Sequence, residues 1–263
     1  MGEFETILFE IRDGAARLTL NRPAKLNSFN VQMHTEIRAA LTEIETSKEV
    51  RVLVITGAGR AFCAGQDLSD RALAPDKAVD LGASIGRDYA PLVRRLRSLE
   101  MPVICAVNGV AAGAGANLVF ACDIAIAAKS ASFVESFSKL GLVPDTGGTY
   151  FLPRLIGTAR AMGFALLGEK VSAEQAAEWG LIWKCVDDDE FAAAIDKLAA
   201  HFATAPTRGL ARIKQAIYRS GEQTLDRQLD LERDFMRELG YSEDFREGVA
   251  AFLEKRTPRF KGK

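Results

Sequence analysis

Four short runs constrain this chain most. Ala15 to Asn21, Val50 to Thr56 (VRVLVIT), Val103 to Val107 (VICAV) and Ile124 to Ala128 (IAIAA) read as buried strands. Between the first two, Met33, Ile37, Leu41 and Ile44 recur on one face of a helix, with Asn30 placed to cap its start. Strands separated by helical crossovers imply a largely parallel sheet with helices outside it. The expected class is therefore α/β.

Beyond about Leu152 the strand signal fades. Ser172 followed by Gln175 is a capping-box pattern that opens SAEQAAEW, and Gly180 stands where such a helix would end. Leu225, Leu229, Phe235, Met236 and Leu239 form one apolar stripe; Phe245, Val249, Phe252 and Leu253 form another. We expect an α/β core over 1–200 and a helical region over 201–263. Residues 71–84 sustain no period and read as a mobile loop near the site.

Charge excludes some partners. With 34 basic and 35 acidic residues the net charge is -1, so there is no general attraction to nucleic acid or to a membrane surface. No stretch of 18 apolar residues occurs, and the opening MGEFETILFEIRDG lacks the basic and apolar segments of a secretory leader. Cys63, Cys105, Cys122 and Cys185 form no CxxC pair and suit a reducing cytoplasm.

Known metal and nucleophile motifs are missing, with no HExxH, Cys/His cluster or GxSxG elbow. His34 and His201 fall within helical patterns and read as packing or surface residues. GVAAGAG at 109–115 follows a strand, but lacks the spacing of a dinucleotide loop. What remains are two small-residue turns, GAGRAFCAGQDL at 57–68 and NGVAAGAGAN at 108–117, and one carboxylate, Asp145, within LGLVPDTGGTYFLPRLIG. Either turn alone would more often serve close packing of a helix on a sheet. Two turns facing each other would form an oxyanion hole from exposed backbone N–H groups. An isolated Asp before Thr-Gly-Gly is more often a helix N-cap than a catalyst.

Together and in this order, these segments resemble the crotonase (enoyl-CoA hydratase/isomerase) superfamily. LNRPAKLNSF, VLVITGAGRAFCAGQDL, PVICAVNGVAAGAGANLVFACDIAIAA, ASFVESFSKLGLVPDTGGTYFLPRLIG and AAEWGLIWKCV carry the similarity over nearly the whole chain. The resemblance implies a spiral of ββα turns, a C-terminal helical trimerisation region, and assembly as a homotrimer or a hexamer formed by two trimers. It also implies an acyl-CoA substrate, with no cofactor beyond the CoA that the substrate carries. The oxyanion donors fall on the backbone N–H groups of Gln66 and Ala114. Lys25, Leu26, Ala64, Asp67, Leu68, Gly113, Asn117 and Phe137 fall on segments that surround the CoA and acyl groups.

Departures from the family pattern narrow the chemistry. Hydratases of the family use two glutamates, and the matching positions hold Asn117 and Phe137, neither an acid nor a base. Asp145 matches the carboxylate of family isomerases, where an apolar pocket containing Phe137 would raise its pKa. Dehalogenases of the family use the same Asp with a histidine and a tryptophan; Ala90 and Phe137 stand there instead. The combination most resembles family isomerases of phenylacetate degradation, which act on ring-epoxidised phenylacetyl-CoA. A Δ3-Δ2-enoyl-CoA isomerase is the alternative, and an RNA-associated scaffold or a carbon–carbon lyase are alternatives of other classes.

Overall fold

The computed structural model describes residues 4–69 and 80–263. Ile7–Arg12 (β1) and Ala15–Leu20 (β2) form a hairpin, and α1 (Val31–Thr46) follows. Asn30 caps α1, its side chain accepting the Met33 N–H at 2.8 Å. Val52–Gly57 (β3), Val103–Val107 (β5), Ile124–Ala128 (β7) and Lys184–Val186 (β10) complete a six-stranded sheet in the order β1-β2-β3-β5-β7-β10, parallel from β2 onward. Its central strands are buried on both faces, which explains their nearly unbroken apolar runs.

A second sheet begins inside the two segments that the sequence offered only as turns, which supply its first two strands. Ala61–Cys63 (β4), Val110–Ala112 (β6), Ser132–Val134 (β8) and Lys170–Ser172 (β9) pair in the order β4-β6-β8-β9. From β3 onward, three successive turns of chain each give one strand to the large sheet, the next to the small sheet, and then a helical segment. That is the expected ββα spiral. The helices in question are α2 (Leu81–Ser84) with α3 (Ala90–Ser98), then α4 (Ala114–Ala121) and α5 (Gly148–Leu167), the last broken at Gly157, where φ is +74°.

The larger core lies between α1, the two sheets and α4, and includes Met33, Ile37, Leu41, Ile44, Leu53, Ile55 and Phe133. On the opposite face Val52, Val54, Ile104, Ala106 and Ile126 meet Ile195, Ala199 and Phe202 of α7 (Phe191–Thr204). Helix α7 runs through residue 200 while packed on the sheet, and α8 (Thr207–Ser220) follows it. Between α5 and α7, α6 (Ala173–Trp179) has the expected ends: Ser172 accepts the Gln175 N–H, and Gly180 takes the left-handed conformation.

Lys214 on α8 ties this region to the core. It is 8% exposed and donates to the Leu96 and Met101 carbonyls while pairing with Asp123 at 2.9 Å. The stripes on α9 (Leu225–Gly240) and α10 (Glu243–Leu253) remain open within one chain, Leu225 being 72% and Phe252 82% exposed. Of the expected loop, residues 71–79 lie outside the described residues, and Leu81–Ser84 is helical. No helix among the described residues is long and apolar enough to cross a membrane.

Candidate active site

Strands β4 and β6 lie side by side and parallel, with Cys63 opposite Ala111, so the turns that leave them emerge together. Gly65, at φ +89°, makes the approach possible: a Cβ there would lie 2.9 Å from the Ala112 carbonyl oxygen and 3.5 Å from the Ala114 nitrogen. A Cβ on Gly115 would lie 2.3 Å from the Cys63 carbonyl oxygen. The small residues therefore serve close packing, and that packing is what brings the two turns to one place. Gly113, at φ +51°, feeds α4, whose first residue is Ala114. An N–H in the first turn of a helix has no intrahelical acceptor.

A cavity of about 330 Å³ opens where the turns meet. Ala64, Gln66, Leu68, Gly113, Ala114, Phe137 and Asp145 line it, with Leu81, Ile85, Leu142 and Val143 completing an apolar wall. Asp145 is the one carboxylate among its described lining residues. A larger cavity of about 800 Å³ shares Ile85 and borders Thr146 and Gly147, but neither turn reaches it. Convergence of backbone donors with a carboxylate, rather than size, marks the smaller cavity as the candidate.

Asp145 does not cap a helix. The residue preceding α5 is Gly147, in the left-handed conformation and with no side-chain cap. The carboxylate instead accepts a hydrogen bond from Thr146 Oγ1 at 2.8 Å. Thr146 has φ +53°, which a β-branched residue rarely adopts and which costs of order 1–3 kcal/mol. Two bonds hold this strained turn: the Asp145 carbonyl accepts the Gly148 N–H at 2.8 Å and Asn117 Nδ2 at 3.0 Å.

Gln66 is braced from behind. Its side chain donates to the Phe29 carbonyl at 3.1 Å and accepts from the Tyr89 hydroxyl at 2.6 Å. Tyr89 is 1% exposed, with the buried His34 ring edge-on at 4.5 Å; His34 in turn stacks on Phe29. His34 is thus a packing residue of this support. Tyr89→Phe should leave the fold intact and lower kcat about three- to tenfold with little change in KM, since loss of one buried hydrogen bond costs about 1 kcal/mol or slightly more. Steady-state kinetics on a 3-enoyl-CoA measures this.

Some expected site residues stand elsewhere. Asp67 is behind the wall: its carboxylate bonds Ser69 and Arg22, which holds it down at about 2, and its N–H is taken by the Phe29 carbonyl. Asn117 is fully buried beneath the Asp145 turn, so it supports that turn and does not line the cavity. Lys25 is exposed on a short 3-10 turn, and Leu26 borders the site only through its carbonyl, which accepts the Ala64 N–H. Cys63 is buried and its thiol is pushed up to about 12 by that burial, which leaves it inert.

Two residues of the site were not singled out from the sequence, Tyr89 and Glu135. Glu135 is 0% exposed and directly follows β8. A signal for it existed: in the alternation S-F-V-E it shares the inward parity of Phe133, an unusual place for a charge. Tyr89 gave none, because it sits in an i→i+5 turn between α2 and α3, where helical periodicity breaks.

A ββα spiral whose paired backbone turns share a cavity with one carboxylate among the described residues is the arrangement of an acyl-thioester enzyme. The chain belongs to the Enoyl-CoA hydratase/isomerase family, which it matches over residues 10–263. It is 59% identical over 260 residues to the 1,2-epoxyphenylacetyl-CoA isomerase of Escherichia coli, with 98% of this chain and 99% of that protein covered. It is 48% identical to the "Probable enoyl-CoA hydratase" of Rhodobacter capsulatus, with 99% of each chain covered. Among solved structures, an enoyl-CoA hydratase from Bacillus anthracis superposes with a TM-score of 0.93 at 33% identity, covering 98% of this chain and all of that one.

Proposed function

We propose that this protein is an acyl-CoA isomerase that converts ring-1,2-epoxyphenylacetyl-CoA to oxepin-CoA in phenylacetate degradation and shifts double bonds in unsaturated acyl-CoA thioesters. The observation that carries this reading is the cavity that Asp145, the one carboxylate among its described lining residues, shares with Gln66 and Ala114, in a chain 59% identical to an isomerase of that name.

The backbone N–H groups of Gln66 and Ala114 receive the thioester oxygen, and their bonds strengthen as it becomes an enolate oxygen, which is how such donors lower a barrier. Asp145 takes the C2 proton and returns it to another carbon of the acyl group. The substrate and product are isomers, so one base that is regenerated in each cycle suffices. In the epoxide the returned proton goes to a ring carbon as the ring expands; in a 3-enoyl thioester it goes to C4. Phe137 and the aliphatic wall keep water from the enolate, and hydration lacks its second acid–base group, since Phe137 and Asn117 stand at the two glutamate positions.

By the family resemblance, the segments that carry Lys25, Leu26 and Leu68 would cradle the CoA nucleotide and pantetheine. The open apolar stripes of α9 and α10 support assembly with further copies of this chain as a homotrimer or a dimer of trimers. Sedimentation of the purified protein should give three or six times the monomer mass, and a monomer would contradict that assembly. The function itself is tested by mixing the protein with synthetic ring-1,2-epoxyphenylacetyl-CoA and with a 3-enoyl-CoA. Formation of oxepin-CoA and of the conjugated 2-enoyl-CoA is expected; turnover of the second alone would favour a Δ3-Δ2-enoyl-CoA isomerase.

A further inference from the structure

Glu135 and Asn117 form a buried pair that the reaction as described does not use. Asn117 Nδ2 lies 3.5 Å from Glu135 Oε2, so the amide and the carboxyl face each other. On each side one oxygen is left over: Glu135 Oε1 and Asn117 Oδ1 are buried and have no hydrogen-bond partner. Both are acceptors as long as Glu135 is ionised. One proton on Glu135 Oε1 supplies the donor that both lack, and turns a poor single contact into a two-bond acid–amide pair.

The surroundings favour that proton. Burial raises the Glu135 carboxyl to about 8; the Asn117 bond opposes this and the nearby Asp145 charge adds to it. Among the described residues no cation offsets the effect. Helix α4 presents only Asn117, the first turn of α5 carries no charge, and Lys139 on the adjoining 3-10 turn and Lys170 on β9 are both exposed. Asp145 is the charged group acting on Glu135.

We propose that Glu135 is a positioning residue of the isomerase: as a neutral carboxylic acid it locks the Asn117 amide, and Asn117 holds the carbonyl of the strained turn that presents Asp145. The inference rests on the isomerase reading of that cavity. Ionisation of Glu135 removes the O–H bond to Asn117 Oδ1, leaves that oxygen facing a carboxylate with only the Nδ2 contact between the two groups, and places a second negative charge beside Asp145. The sign follows directly. A glutamate raised from its ordinary 4.5 to about 8 is protonated in the folded enzyme and ionised in the unfolded chain between those values. Over that window stability falls as pH rises, and positioning is lost above it.

The test compares wild type with Glu135→Gln in C2-proton exchange from pH 6 to 9, alongside infrared spectra over the same range. The Gln variant keeps a donor for Asn117 but does not titrate. Wild type should lose kcat about tenfold between pH 7 and 9 at constant KM, as a protonated-carboxyl band disappears with a midpoint near 8. Glu135→Gln should keep activity within about threefold at pH 7 and lose both the band and the alkaline limb. A band that never appears in wild type, or an alkaline limb that persists in Glu135→Gln, overturns the inference; if the variant does not fold, coincidence of the wild-type band and kcat midpoints decides. Asp145→Asn separates the two claims: an active Asp145→Asn enzyme defeats the isomerase reading itself, whereas an inactive one with no Glu135 titration defeats only this inference.

Discussion

Asp145→Asn should reduce isomerisation of a 3-enoyl-CoA roughly 10³-fold while leaving thioester binding within a few-fold, because general acid–base catalysis contributes about 10²- to 10⁴-fold. Asparagine keeps the size of the side chain and still accepts from Thr146 Oγ1, and the bonds from Gly148 and Asn117 go to the main-chain carbonyl, which the substitution leaves in place. What it removes is the ability to hold a proton between two carbons. The loss should therefore fall on kcat, with KM little changed. Absorbance of the conjugated product measures the first quantity, and calorimetric titration with a saturated acyl-CoA measures binding.

Ala114→Pro should cost about 10²- to 10³-fold in kcat, the usual consequence of removing one oxyanion donor. Backbone donors are seldom accessible to substitution, but this one is. Ala114 is the first residue of α4, where proline fits the helix, deletes an N–H without an intrahelical partner and puts its Cδ where that hydrogen was. Gly113 before it stands at φ +51° and ψ -125°, away from the helical region that a following proline forbids. Circular dichroism and melting temperature should stay close to wild type, so a large loss of rate in a folded protein would place its cause at the Ala114 N–H position, where a donor has been exchanged for a methylene. The same loss together with a molten spectrum would mean that the turn had been displaced.

The sequence disclosed some of this and concealed the rest for physical reasons. Strands β3, β5 and β7 were visible because burial on both faces writes an unbroken apolar run, and the caps at Asn30 and Ser172 were visible because their chemistry is local. Strands β4, β6 and β8 were not. Each is three residues long, too short for an alternation to register, and the glycine- and alanine-rich surroundings of β4 and β6 look like turns. The two backbone turns were legible as candidate donors, yet their meeting depends on Gly65 and Gly115 allowing strand and helix to touch, a three-dimensional fact. Asn117 and Asp67 were expected near the ligand and instead stand behind it. Proximity in a motif does not say which side of the wall a side chain takes.

Glu135 shows the reverse case. A carboxylate in the middle of a familiar segment reads as surface charge until β8 is known to place it inward, next to an amide and under the Asp145 turn. Its effect then follows from electrostatics.

The central claim is that one carboxylate both removes and returns the proton, and isotope transfer tests it most directly. A 3-enoyl-CoA deuterated at C2 is converted in ordinary water by wild type and by Asp145→Asn, and the 2-enoyl-CoA product is analysed for label at C4. Wild type should deliver part of the deuterium to C4, carried by Asp145, and the variant should deliver none. Equal transfer by both proteins, or a hydrated thioester in place of the conjugated product, would contradict it.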